Sequence, residues 1–328
     1  MYGYETFHDD IIKELVKNVH NGQNRQAYLF VGPDGVGKHE AANLFAASLA
    51  CSNTEIAPCG NCQACIGAKS RTNPDIVYIE PTDKKVISAE QARSIVSDAY
   101  IKPFESKKKI YIINDGAKLN EFSQNCLLKV LEEPPEYVVF IIIATSETVL
   151  LQTVLSRCTL VRFPIVTKDS LKEFIKLNFP EYIEQSDLLY SLSSGSPGNV
   201  RTIIENPDYE DLRKESFRML VPLMSRHKIS AYTICDFIES NADNTELIID
   251  FWQSYLRDIM LIQNGNSKLI INIDMQEDLQ NLANKMKDSF PIIALEQTVL
   301  AKMMLKRYVN LHNLALSLSF SIKKRLYN

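Results

Sequence analysis

Apolar residues between positions 7 and 163 alternate between helical spacing and short continuous runs. Five short runs, bounded by polar or turn residues, predict β-strands at 26–31, 75–80, 109–114, 137–145 and 159–163. Four segments with apolar residues at helical spacing predict helices at 7–20, 38–50, 88–101 and 121–133. Strands that alternate with helices in this way are typical of an α/β domain with a parallel sheet.

Local sequence also marks where two of these helices begin and end. Ser88 is followed three residues later by Gln91, which matches a capping box and predicts that the third helix begins there. Pro134 and Pro135 end the fourth helix, because proline lacks the N–H group that continues the hydrogen-bond ladder.

The pattern changes after Pro164, where the strand-like runs stop. From about 208 to 328 apolar residues recur at helical spacing, which predicts a helical bundle. Residues 166–206 predict a small helical unit that contains the turn sequence Gly-Ser-Pro-Gly at 195–198, and Asn-Pro at 206–207 marks its boundary with the bundle. We therefore expect three domains, with bounds at 1–165, 166–207 and 208–328.

The composition is that of a soluble globular protein. The chain has 328 residues, of which 36 are Lys or Arg and 40 are Asp or Glu, so the formal net charge is −4. This charge disfavours a protein that binds nucleic acid by bulk electrostatics. No run approaches the roughly 20 apolar residues of a membrane span, and the acidic N-terminal segment differs from a secretory signal. We expect a cytoplasmic protein without membrane partners.

Residues 32–39 read Gly-Pro-Asp-Gly-Val-Gly-Lys-His and lie between a predicted strand and a predicted helix, the setting of a phosphate-binding P-loop. In such a loop Lys38 reaches the outer phosphates, and glycines let backbone N–H groups surround them. The candidate glycines are Gly32, Gly35 and Gly37. His39 stands where the pattern has a Ser or Thr for Mg²⁺, and imidazole suits that ion poorly. Two hypotheses stay open: ATP binding without hydrolysis, and a loop kept only for its turn.

A second defect follows the third predicted strand, where an ATPase carries an Asp for the metal and a Glu for the attacking water. Here the residues are Asn114, Asp115 and Gly116. If Asn114 takes the metal position, the charge that holds Mg²⁺ is missing. If Asp115 takes it, the acidic residue after it is missing. Since either alignment leaves one role unfilled, we expect no ATP hydrolysis by the isolated chain.

Four of the seven cysteines form a C-x7-C-x2-C-x2-C series. They are Cys51, Cys59, Cys62 and Cys65. Four thiolates at this spacing can close on one tetrahedral Zn²⁺, and in a reducing compartment such a series indicates a metal site before disulfides. The set leaves no open coordination position, so we expect a structural Zn²⁺ that stabilises a module at 51–65.

Several of these features occur together in one known family. The P-loop, the four-Cys module, the string Leu-Leu-Lys-Val-Leu-Glu-Glu-Pro-Pro at 127–135 and then Ser156-Arg157-Cys158 resemble the bacterial clamp loader subunits, within the AAA+ family. The string and the Ser-Arg-Cys triplet together identify this family far more specifically than a P-loop does. The resemblance covers residues 1 to about 205 closely, and the tail is similar in length and helical character.

The resemblance implies an AAA+ core that carries the zinc module, a small helical lid and a C-terminal all-α collar by which subunits form a ring. A lone Arg is usually a surface or ion-paired residue, but the resemblance makes Arg157 an arginine finger that enters the ATP site of a neighbouring subunit. It also places Thr145 at the sensor 1 position. Gly198 falls where a sensor 2 Arg is expected, with Arg201 three residues later. This substitution is a third defect in the chain's own ATP site.

The function that the resemblance implies is a non-hydrolysing subunit of the DNA polymerase III clamp loader. Its partners would be gamma/tau and delta subunits in a hetero-pentameric ring, with the sliding clamp and primer-template DNA reached through the complex. One alternative is an active gamma/tau-like ATPase, for which the intact sequence from Gly32 to Lys38 speaks. Another is a free-standing zinc-stabilised DNA-binding protein, supported only by the cysteines and the lysine run at 107–109.

Overall fold

A computed structural model describes residues 7–81, 86–224, 229–305 and 309–327. The chain divides into two compact units. The first, called the core unit here, runs to Ile183 and includes Ser194–Asn199; the second, the helical unit, comprises Glu184–Ser193 and the chain from Val200 onward. The three predicted domain bounds remain predictions.

The core unit contains a five-stranded parallel sheet in the order β2-β3-β4-β1-β5. The strands are β1 (Ala27–Val31), β2 (Ile76–Ile79), β3 (Lys109–Ile113), β4 (Val138–Ala144) and β5 (Thr159–Arg162). The helices are α1 (Asp9–His20), α2 (Lys38–Ala50), α3 (Gln63–Ser70), α4 (Ala89–Ala99), α5 (Glu121–Glu132), α6 (Gln152–Leu155) and α7 (Lys168–Asn178). All five predicted strands and all four predicted helices are present, with ends shifted by at most two residues.

The three inner strands, β1, β3 and β4, are buried along their whole length, which explains why they are nearly continuous apolar runs rather than alternating ones. Phe30 and Ile141 lie in an apolar cluster with residues of α1 and α2. Leu29 and Phe140 lie in a second cluster, with residues of α4 and α5. Because these strands are parallel, the carboxyl ends of β1, β3 and β4 lie at one edge of the sheet, where side chains of the loops that follow can come together.

The predicted capping box is confirmed. The Oγ atom of Ser88 accepts the N–H of Gln91 at 3.1 Å, and Oε1 of Gln91 accepts the N–H of Ser88 at 3.1 Å. The pattern did not predict α3, which is only eight residues long and lies within and after the cysteine series.

The helical unit follows the expectation of a helical C-terminal region. Its helices are α8 (Ser186–Ser193), α9 (Pro197–Glu205, which begins in the core unit), α10 (Tyr209–Met224), α11 (Ile229–Ser240), α12 (Thr245–Gln263), α13 (Gln276–Lys285), α14 (Ser289–Leu305) and α15 (Leu311–Tyr327). The indole N–H of Trp252 in its core donates to the carbonyl of Ser216 at 2.8 Å. Arg213 is fully buried there and makes a bidentate pair with Asp274 at 2.7 and 2.8 Å. Among the described residues, no helix has the length and hydropathy to cross a bilayer.

Candidate nucleotide and metal sites

The loop between β1 and α2 has the backbone conformation of a P-loop. Gly35 and Gly37 have φ of +71° and +98°, a region that favours glycine. A Cβ atom at Gly32 would lie 2.2 Å from the carbonyl oxygen of Phe163. These positions therefore require glycine for backbone reasons alone, whether or not a phosphate binds.

Lys38 folds back onto this loop. Its Nζ atom donates to the carbonyl oxygens of Gly32 and of Pro33, the latter at 2.6 Å, and lies 3.8 Å from the carboxylate of Asp34. Burial lowers the pKa of Lys38, and the charge of Asp34 opposes that shift. A phosphate in this loop would have to draw the ammonium group away from carbonyls that already satisfy it.

The 194–199 segment of the core unit packs directly on the P-loop. The backbone N–H of Gly198 donates to the carbonyl of Gly35 at 2.9 Å, and the hydroxyl of Ser196 donates to the carbonyl of Asp34 at 2.9 Å. A Cβ atom at Gly198 would lie 2.7 Å from Cα of Gly35. The position that the resemblance assigns to a sensor 2 Arg thus has no room for a side chain. Arg201 lies in the helical unit, 3.9 Å from Glu205.

Two residues before α1 also contact the loop, and the sequence pattern did not single them out. The Nε2–H of His8 donates to the carbonyl of Val36 at 2.9 Å, and burial lowers the pKa of His8. The ring of Phe7 lies 3.1 Å from where a Cβ of Gly37 would be, and it packs edge-on against Phe174. The loop is therefore held from both sides by this chain's own residues.

An open cleft of about 670 Å³ brings the candidate nucleotide-site residues together. Its lining includes Asp34, Lys38, His39, Glu80, Asn114, Asp115 and Thr145. The amide of Asn114 donates to Glu80 at 2.8 Å, and Asp115 accepts the N–H of Ala117 at 3.0 Å. Sequence reasoning missed Glu80; its signal was its position just after β2, which neighbours β3 in the sheet. The lining carries three carboxylates and two lysines, Lys38 and Lys118, so its surface is mixed in charge rather than cationic.

The four cysteines of the 51–65 segment converge. Their sulfur atoms all lie within 4.8 Å of one another, with Cys51 and Cys62 at 3.9 Å and Cys59 and Cys65 at 4.0 Å. Four sulfurs around a metal at about 2.3 Å would be separated by about 3.8 Å, so these two separations fit a tetrahedral site. The cluster can hold a metal ion.

The pKa values of two of these thiols differ strongly from that of a free cysteine. Burial raises the pKa of Cys62, but N–H groups that include those of Ser52 and Cys65 lower it more, to about 6. Cys62 is also the N-cap of α3, where a thiolate is favoured. Burial raises the pKa of Cys65. A metal ion would supply the positive charge that lets both exist as thiolates.

Arg157 follows α6 at the surface of the core unit. One terminal nitrogen, Nη1, donates to the carbonyl of Thr153 at 2.7 Å and to the hydroxyl of Ser156 at 3.2 Å. The other, Nη2, pairs with the Glu132 carboxylate at 2.6 Å. The side chain thus makes three hydrogen bonds within its own chain, and its role in a neighbouring ATP site remains a prediction.

The fold and the site define the class of protein. A parallel sheet in this order, with a P-loop after β1, a helix-rich C-terminal region and a four-cysteine cluster, is an AAA+ P-loop fold with a candidate metal module. The family model described as DNA polymerase III, delta subunit, matches residues 7–167. The delta' subunit of DNA polymerase III from Bacillus subtilis is 27% identical over 282 residues, which cover 83% of each chain. The chain is thus similar to clamp-loader subunits of DNA polymerase III, and along most of its length to a delta' subunit.

Other relatives match a smaller part. The tau/gamma subunit from Haemophilus influenzae is 31% identical over 207 residues, which cover 61% of this chain and 29% of that protein. A gamma subunit-related protein of Thermotoga maritima has a solved structure that covers 96% of this chain and 99% of its own, at 16% identity and a TM-score of 0.46. The Bacillus subtilis clamp loader delta protein gives 12% identity and a TM-score of 0.37.

The contact between Gly198 and the P-loop leads to a stability prediction. We expect Gly198→Ala to lower the free energy of unfolding by about 1–3 kcal/mol, because the added methyl group overlaps Gly35. Urea denaturation measures this change. Gly22→Ala is the comparison: Gly22 has a φ of +66° and open space around it, so its cost is backbone strain, whereas Gly198 lacks a positive φ and its cost is the overlap with Gly35. Wild-type stability of Gly198→Ala would show that the 194–199 segment does not pack on the loop in solution.

Proposed function

We propose that the chain is a non-hydrolysing, delta'-type subunit of the DNA polymerase III clamp loader. The observation that carries the proposal is the match to the Bacillus subtilis delta' subunit along 83% of both chains. In this role the chain takes part in a hetero-pentameric ring with gamma/tau and delta subunits. The ring opens the sliding clamp and places it on primer-template DNA, a task performed in the bacterial cytoplasm.

The chemistry of this subunit is proposed to act on a neighbour. Its own cleft has His39 where Mg²⁺ needs a hydroxyl, and whether Asn114 or Asp115 takes the metal position, one acidic role stays unfilled. Gly198 stands where the resemblance expects a sensor 2 Arg. Arg157 instead contributes its guanidinium to the ATP site of an adjacent gamma/tau subunit. A guanidinium is permanently charged and forked, so it can bind two oxygens of the transferred phosphoryl group and stabilise the charge that develops there.

The metal of the cysteine cluster is proposed to be Zn²⁺. Four soft thiolates in a tetrahedral arrangement suit Zn²⁺, and no position is left open for substrate. The ion would join Cys51 at the end of α2 to Cys62 and Cys65 at the start of α3. Its role is therefore structural. We also propose that the chain has three domains, with boundaries after 165 and 207, and that the last domain is the collar through which subunits assemble.

The second candidate, a gamma/tau-like motor subunit, is favoured by the intact P-loop backbone and by the 31% identity to the tau/gamma relative. The two functions differ in hydrolysis. We expect the isolated chain to show no DNA-stimulated ATPase and Lys38→Ala to change nothing, since three roles are missing from its cleft. A colorimetric phosphate-release assay at saturating ATP and primed DNA measures this. Turnover of about 1 s⁻¹ or more that Lys38→Ala abolishes would establish the motor function instead.

The proposed function itself is tested by clamp loading. Gamma/tau and delta subunits from the same cell are mixed with labelled clamp, ATP and primed circular DNA, with and without this chain. We expect clamp on DNA only when the chain is present. Equal loading in its absence would contradict the proposal.

A further inference from the structure

The carboxylate that pairs with Arg157 comes from Glu132, in the last turn of α5. We propose that Glu132 is a positioning residue: it fixes the Arg157 guanidinium in the geometry in which it meets a phosphoryl group of the neighbouring subunit. This inference rests on the proposed function, because it assigns a role to Glu132 only if Arg157 acts in trans.

Stability alone does not account for the pair. The Arg157 side chain is 32% exposed and that of Glu132 is 49% exposed, and ion pairs at such exposure contribute little to the free energy of unfolding. A negative charge in the last turn of a helix is also disfavoured by the helix dipole. Glu132 is therefore poorly placed for stabilising α5, and the cation of Arg157 is the group that compensates its charge.

The hydrogen-bond geometry suits a positioning role. A guanidinium has five N–H donors. Two on Nη1 are directed to Thr153 and Ser156, and one on Nη2 is directed to Glu132, so described residues engage three. Two donors remain for an incoming oxygen, while the plane of the group is fixed by acceptors on two different elements, α5 and α6.

Such ordering has a kinetic consequence. An unrestrained Arg side chain has substantial rotamer entropy, part of which is lost when it binds a phosphate. If the fold has already restricted the side chain, reaching the transition state does not require a further loss of its rotamer entropy. Removing Glu132 should therefore slow hydrolysis without changing how tightly the neighbour binds ATP.

Glu132 could instead restrain Arg157 and keep it from its target. This role predicts that removing Glu132 raises the rate of hydrolysis rather than lowering it. A carboxylate that only sequestered the guanidinium would compete with the phosphate, and removing it would speed hydrolysis. The two free donors and the remaining acceptors on α6 favour positioning, and the sign of the change decides between the roles.

The experiment uses the complete ring, reassembled with variants of this chain, and measures kcat and KM for ATP at saturating clamp and primed DNA. The variants are Glu132→Ala, Glu132→Gln, Arg157→Ala and the Glu132→Ala/Arg157→Ala pair, with Glu133→Ala as the matched control. Glu133 is the next residue, is exposed, and has no side-chain bond to Arg157. Melting temperatures and the mass of the ring are recorded for each variant.

We expect Glu132→Ala to lower kcat by at least about half of the decrease that Arg157→Ala produces, with KM for ATP within about twofold of wild type. Glu132→Gln keeps an oxygen acceptor and should recover most of the loss. In the Arg157→Ala background, Glu132→Ala should have no further effect, because the group that it positions is gone.

Three results would overturn the inference while leaving the proposed function intact: a kcat for Glu132→Ala equal to that of Glu133→Ala, a kcat above wild type, or a further loss in the Arg157→Ala background. If Arg157→Ala itself leaves kcat unchanged, the in-trans role fails, and the positioning role fails with it.

Discussion

Replacing Arg157 by alanine is expected to lower clamp-dependent ATP hydrolysis by the assembled ring while leaving the chain folded. An arginine finger can contribute about 10³ to 10⁵ in rate at the site that it serves. Other ATP sites in the ring would keep their own fingers, so the loss measured for the whole ring is partial. Steady-state ATPase at saturating ATP, clamp and primed DNA measures it.

Two controls separate this role from a local structural one. Arg157→Lys should recover little, because it retains the charge and loses the forked geometry. If Arg157 served only to bind Thr153 and pair with Glu132, alanine would lower the melting temperature slightly and leave ring hydrolysis intact. Full activity of the alanine variant with saturating ligands would contradict the finger role.

Loss of the metal is expected to have the largest effect on stability. Zinc contributes roughly 10–16 kcal/mol of apparent binding free energy to the folding of zinc-finger peptides. Here α3 also packs against α2, so part of the module is held without the metal and the loss should be smaller. We therefore expect Cys59→Ser to lose the zinc and to lower the free energy of unfolding by several kcal/mol, on the order of a structural-disulfide loss or more. Elemental analysis and urea denaturation measure the two changes.

Cys126→Ser is the matched control, since Cys126 is a half-buried thiol on α5, outside the cluster. It should keep one zinc ion per chain. Because protons compete with the metal for thiolates, the wild-type chain should also release its zinc on acidification. Freshly purified, unchelated protein without zinc would contradict the assignment, as would a Cys59–Cys62 disulfide under reducing conditions.

Much of the core unit could be predicted from the sequence, because its strands and helices differ in the period of their apolar residues. The buried strand 138–144 is a continuous apolar run, and α4 begins at a recognisable capping box. The prediction was weakest where local pattern carries little information. Helix α3 has only eight residues, too few to show a clear amphipathic spacing. It begins within a cluster of cysteines that are separated along the chain, and a local pattern does not show that they converge.

The candidate sites show the same limit. The departure at His39 could be recognised from its fixed offset in the P-loop motif, and the segment Asn114-Asp115-Gly116 from its position after β3. The contacts of Gly198 with Gly35 and of Glu80 with Asn114 could not, because they join residues from distant parts of the chain. The bond between Arg157 and Glu132 spans 25 positions and likewise depends on how α5 and α6 pack.

The central claim is that this chain acts as one subunit of a clamp-loader ring. The most direct measurement is the native mass of a mixture of the purified chain with gamma/tau and delta subunits from the same cell. The account predicts one stoichiometric complex that contains a single copy of this chain. A chain that stays free at micromolar concentration, while the other subunits assemble without it, would contradict the account.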